Sequence, residues 1–142
     1  MASDLPTYFL SHGGGPWPFM KEQYGSTYDV LEASLADIPR QVGTRPKAVL
    51  VVSGHWEERE FTLSSSEEPG MIYDYGGFPA HTYQVKYPAP GQPELAARAA
   101  ILLAEAGYNA GLDPNRGFDH GTFSMLYPVY PDADVPVVQL SL

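Results

Sequence analysis

The stretch Lys47–Glu58, "KAVLVVSGHWEE", constrains this chain more than any other. Ala48 to Val52 is an unbroken apolar run. Successive side chains of a strand point to opposite faces, so a run apolar at every position predicts a central strand covered on both sides. Such strands belong to sheets with a helical layer above and below. The segment "PELAARAAILLAEAG", Pro93–Gly107, predicts one of those helices. Pro93 sits in its first turn, Leu95, Ala99, Leu102, Leu103 and Ala106 form the inner stripe, and Gly107 closes it. "STYDVLEASLADIP", Ser26–Pro39, predicts a second helix, capped by Ser26 and ended by Pro39. Its inner side is Val30, Leu31, Ser34, Leu35 and Ile38.

Pro6–Ser11, Glu60–Ser66 and Val135–Leu142 read as further strands, and Gly117–Pro131 as a loop leading into a short helix. Strands and helices in alternation give an α/β fold with a mostly parallel or mixed central sheet and helices on both faces. It is a single domain over residues 1–142. The last strand is apolar on both faces and is followed by nothing polar, so the domain reads as incomplete at its C-terminus. That predicts exposed apolar surface around Val135–Leu142. A second copy in a homo-oligomer, or a completing C-terminal segment, would cover it.

Composition matters mainly by what it excludes. A net charge of −9 without a Lys/Arg cluster argues against nucleic acid as a partner. No apolar run is long enough to span a bilayer, and "MASDLPTYFL" lacks the pattern of a secretory leader, so the expectation is a cytoplasmic protein with no membrane partner. The absence of cysteine removes thiolate ligands and cysteine nucleophiles. A metal would be held by His, Asp or Glu, which suits iron, manganese or zinc.

The four histidines are His12, His55, His81 and His120. Two follow apolar strands, in "FLSHGGGP" and "VVSGHW". Ligands gather beyond the carboxyl ends of strands in α/β folds, so His12 and His55 are expected to share a site. Glu57, two residues past His55, and Asp119, beside His120, are candidates for a third ligand. Asp119 could equally hold a loop or orient an imidazole. The long segment Glu67–Gln92, rich in Pro, Gly and Tyr, is expected to be an ordered loop. Tyr73, Tyr75, Phe78, Tyr83 and Tyr87 could wall a slot for a flat ring, or pack on the core. The His-Gly-Gly-Gly sequence also fits the oxyanion loop of a serine hydrolase. That reading lacks a G-x-S-x-G elbow: Ser53 has the wrong glycine pattern and Ser124 follows "GTF", which leaves a Ser-His-Asp arrangement by another geometry as its remaining form.

The motifs "FLSHGGGP", "VLVVSGHWE", "YDYGGFPAHTYQVKYPAPG" and "GFDHGTFSMLYPVYPDADVPVVQLSL", in this order, resemble the class III extradiol ring-cleavage dioxygenases, in their DOPA-dioxygenase-like branch. The resemblance covers nearly the whole chain. It implies a non-haem Fe(II) enzyme, with Zn(II) an alternative in the same site, that opens a catecholic substrate with O₂. It implies that His12 and His55 are metal ligands. It also implies a catalytic His120 near the substrate and dioxygen, not bound to the metal; from their place in the aromatic loop, Tyr75 and Phe78 are expected on the substrate side and His81 at the rim of the cleft. Family members run well past this chain's end, and their remaining metal ligand and acid–base histidine have no matching position here. The expectation is therefore an N-terminal part of the family pattern, inactive by itself. The alternative is a catalytically incomplete metal- or ligand-binding fragment.

Overall fold

The computed structural model describes residues 5–142; Met1–Asp4, part of the leader reading, lie outside them. Four strands form one mixed sheet: β1 (Val49–Val52), β2 (Phe61–Ser64), β3 (Ala110–Asp113) and β4 (Val137–Leu140), in the order β1-β4-β2-β3. β1 runs parallel to β4, β2 parallel to β3, and β2 antiparallel to β4. The helices are α1 (Lys21–Tyr24), α2 (Asp29–Ala36), α3 (Ile38–Val42), α4 (Pro93–Glu105) and α5 (His120–Val129).

The sheet is covered on both faces. On one, Ala96 of α4 packs with Leu63 and Val138, joined by Leu95, Ala99, Ala100 and Leu103. On the other, Phe123 and Leu126 of α5 pack with Phe118, Tyr87 and Val137, and Val49 and Val51 of β1 join them. A third cluster, Trp17, Leu35, Ile38, Met125 and Val129, ties α2 and α3 to the back of α5. Each large side chain buried this way contributes roughly 1.5–3 kcal/mol over leaving it in water.

Four expectations need correction. The run at β1 is an edge strand, not a central one. Its α4-side residues Leu50 and Val52 remain 45 % and 55 % exposed, because α4 lies over β2, β3 and β4 and stops short of β1. The expected weak point, Val135–Leu142, is instead the best-buried strand: β4 lies between β1 and β2, and Val135, Val137 and Val138 are at most 1 % exposed. Only Leu142 stands out of it. Pro6–Ser11 is irregular and exposed, with Phe9 wholly in solvent, since no strand pairs with it. The Ser26–Pro39 helix breaks in two: Asp37 is the hinge and Pro39 stands in the first turn of α3, where its missing N–H costs nothing. Tyr28, not Ser26, precedes α2, and Val30 faces water at 84 % exposure. Leu102 and Ala106 of α4 also point outward.

Candidate metal centre

His55 lies three residues beyond β1, His120 is the first residue of α5, and His12 lies in the irregular N-terminal segment. The fold brings the three together. One ligating nitrogen from each lies within 4.8 Å of the other two, and among the described residues this is the one such group. The ring centroids are 5.0 Å apart for His12 and His55, 5.2 Å for His12 and His120, and 4.1 Å for His55 and His120.

His12 Nε2 and His55 Nε2 are 2.9 Å apart. His12 Nδ1 is 2.7 Å from the carbonyl of Gly13. A carbonyl only accepts, so Nδ1 carries the hydrogen and His12 Nε2 presents its lone pair. This backbone partner fixes the tautomer a metal ligand needs. Without a metal, His55 Nε2–H donates to His12. Burial, and then the neighbouring His120 and His12, push the His55 pKa below its ordinary value, so the neutral form that can bind a metal is favoured. The donor set fits a cation: two imidazoles on adjacent octahedral positions at about 2.1 Å place their nitrogens about 3.0 Å apart.

A buried polar frame sets the spacing. Ser53 Oγ donates to the Asp119 carboxylate at 2.8 Å and accepts the His55 N–H at 3.2 Å. Asp119 caps α5 by accepting from Thr122 N at 3.1 Å, and it pairs with Arg116 at 2.9 Å. Arg116 lies 4.8 Å over the Trp56 ring. Gln139 of β4 accepts from Thr122 Oγ1 and donates to the Gly117 carbonyl, so the sheet centre grips the turn that carries His120. Asp119 thus holds the loop and lies outside the imidazole group, with Oδ1 and Oδ2 both accepting within this frame. Glu57 is exposed and lies outside the imidazole group.

Gly121 is required by close approach. A Cβ there would stand 2.6 Å from His55 Cδ2. Helix propensity favours alanine over glycine by about 1 kcal/mol. Gly121→Ala is nevertheless expected to displace the His55 ring and lower Zn(II) affinity at least tenfold by calorimetry, an order-of-magnitude figure in line with the loss of an outer-shell partner.

The aromatic loop is ordered, as expected. Tyr75 packs edge-on to His120 at 5.9 Å, with its hydroxyl donated to Thr82 O, and Phe78 packs on Tyr75 at 5.4 Å. Gly15, at φ +52°, leaves room for the Phe78 ring, so this glycine makes space for an aromatic wall more than for a metal. Tyr87 is core, donating to Tyr130 O. His81 does not join the imidazole group; its Nε2–H donates to the carbonyl of Phe19 at 2.8 Å. Ser53 is buried and bonded to Asp119, and Ser124 donates to Gly15 O. Neither hydroxyl meets an imidazole nitrogen, which removes the geometry a serine hydrolase needs. A groove of about 480 Å³ between α3 and the end of α5 includes none of the three histidines. Among the described residues, no helix is long and apolar enough to cross a membrane.

Sequence reasoning missed Asp74, which touches His120, as well as Arg116 and Gln139. Asp74 stands in "YDYGG" with no local signal to tie it to a residue far along the chain.

An imidazole cluster over an α/β sheet, framed by a buried carboxylate and amide, is the donor set of a nitrogen-ligated metal site. Residues 6–142 match the family described as the catalytic LigB subunit of aromatic ring-opening dioxygenase, and the chain belongs to that family. It falls with the class III extradiol dioxygenases of the DOPA-dioxygenase-like branch. It is 42 % identical over 138 residues to a 4,5-DOPA dioxygenase extradiol of Beta vulgaris, covering 96 % of this chain and 49 % of that protein. It is 40 % identical over 139 residues to the 4,5-DOPA dioxygenase extradiol of Escherichia coli, covering 97 % and 48 %. The solved structure of an uncharacterized Escherichia coli K12 protein, JW3007, superposes with a TM-score of 0.60 at 38 % identity, covering 78 % of this chain and 39 % of that one. The chain spans about half the length of the curated relatives it matches.

Proposed function

We propose that this chain carries the His12–His55 part of an extradiol dioxygenase site, for a catecholic substrate and O₂. The observation that carries the reading is the pair of Nε2 atoms 2.9 Å apart with a third imidazole beside them. Fe(II), or Zn(II) in the same place, would be held by His12 and His55; bound Fe(II) would bring catechol and O₂ together and relay electrons from the ring to O₂. His120 would hydrogen-bond the substrate or the oxygen-derived group. Tyr75, Phe78 and His81 form the substrate side, the first two as ring walls and the third by anchoring the loop to Phe19 O. A cytoplasmic setting, which keeps iron reduced, suits this chemistry.

A second reading is favoured by the donor set, which among the described residues groups three imidazoles and no carboxylate: a metal- or ligand-binding part that is catalytically incomplete, completed by a further segment or a second copy. The bare α4-side face of β1, Leu50 and Val52, supports such a covering partner. Oxygen uptake with Fe(II) and a catechol, together with Zn(II) calorimetry, tests both. Metal binding without uptake by this chain is expected. Catechol-dependent uptake would overturn the incompleteness, and no metal binding would overturn the site itself.

His120→Ala is expected to leave Zn(II) affinity within a few-fold of the parent, since its role is assigned to substrate or oxygen. A loss equal to that of His12→Ala would make His120 the third ligand.

A further inference from the structure

Asp74 is the one carboxylate that, among the described residues, contacts an imidazole of the cluster. It comes from the loop between β2 and α4. Its neighbours Tyr73 and Tyr75 both lie against Phe123 of α5, at 6.5 and 6.4 Å between ring centroids. Their hydroxyls donate across the loop, Tyr73 to Val85 O at 2.7 Å and Tyr75 to Thr82 O at 2.6 Å. Asp74 is thereby clamped at the start of α5. Its Oδ1 accepts the backbone N–H of His120 at 2.9 Å and lies 2.9 Å from His120 Nδ1. Nδ1 itself is buried and has no partner on its hydrogen-bond axis, so the contact with Oδ1 is close but off-line. A small turn of the ring would align it. Burial works to raise the Asp74 pKa, but the side chain and backbone N–H of His120 more than offset it, and the carboxyl stays below its ordinary value.

We infer that Asp74 is a positioning residue that holds His120 as the Nδ1–H tautomer. A carboxylate accepts and does not donate, so the hydrogen between the two groups sits on Nδ1. A neutral imidazole has one hydrogen, and Nε2 is then a bare base. Resting on the dioxygenase reading, this chooses between the two roles left to His120. A bare Nε2 accepts a hydrogen bond from a substrate hydroxyl, whereas a protonated Nε2 would donate to an oxygen-derived group. The orientation of His120 is tied to the aromatic loop, since the same segment supplies Tyr75 to the substrate side.

The test is long-range ¹H–¹⁵N correlation NMR on the metal-free chain labelled with ¹⁵N-histidine, about two pH units above the ordinary histidine pKa of about 6.5. His120 is assigned by loss of its signals in His120→Gln. The parent is expected to show His120 protonated at Nδ1. Asp74→Asn keeps its carboxamide oxygen on the His120 N–H, and so beside Nδ1, and is expected to hold the Nδ1–H ring; Asp74→Ala removes the acceptor and is expected to give a mixture. An Nε2–H ring in the parent, or an unchanged tautomer in a folded Asp74→Ala, overturns the assignment. Should neither variant fold, the parent spectrum alone decides it. Failure of metal binding would unseat the dioxygenase reading and leave this result standing.

Discussion

His12→Ala is expected to abolish Zn(II) and Fe(II) binding while leaving the domain folded. His12 supplies one of the two nitrogens that face each other at 2.9 Å, and it is the imidazole whose tautomer is already fixed by a backbone carbonyl. Its loss leaves His55 without a ligand partner at hydrogen-bond distance. The fall in affinity should exceed the roughly 10–100-fold that losing a mere outer-shell partner costs. The segment that carries His12 is exposed up to Gly13 and belongs to no strand, so stability should change by no more than about 0.5 kcal/mol. Calorimetry with each metal and a urea titration of the same preparation check the two halves. Binding retained within a few-fold would show that His12 is not a ligand.

Asp119→Ala should have the largest effect on stability. Asp119 is fully buried, and the Arg116 side chain it pairs with is 17 % exposed. Removing one partner of a buried pair strands the other charge and costs about 3–5 kcal/mol. The helix cap on Thr122 and the acceptor for Ser53 Oγ go with it. Ser53 then loses its hold on the His55 backbone, so metal affinity should fall together with stability. Asp119→Asn keeps an acceptor for the cap and should cost less than the alanine change. Denaturant midpoints for both variants, with calorimetry, separate the outcomes. A loss under about 1 kcal/mol in Asp119→Ala would mean that Arg116 reaches water and the pair is not structural.

Parts of this molecule are written locally. Pro93 and Gly107 bracket α4 because a proline in the first turn and a glycine past the end act through the backbone next to them. The Gly117–Pro131 segment gives α5 for a similar reason, since Asp119 caps it within its own turn. His12 and His55 were legible as a pair because each follows an apolar run into a small-residue turn, and the structure places their rings together.

Strand order was not legible. Apolar runs at Val49–Val52 and Val137–Leu140 look alike, yet one is an edge and the other the centre, and burial follows from neighbours that periodicity does not name. Pro6–Ser11 has a strand's composition and no strand beside it. β3 was missed because "AGLD" has almost no apolar pattern; it exists through its pairing with β2.

The site divides the same way. Sequence alone determined which side chains can bind a metal, because ligand chemistry belongs to the residue: four histidines, no cysteine, and carboxylates beside two of them. Only the tertiary structure decided which of them meet. It set His81 to anchoring a loop, Asp119 to holding a buried frame, and Asp74 against His120 across 46 positions of chain. Hydrogen bonds and ion pairs act over about 3 Å, so a contact between distant positions exists only once packing has closed that gap.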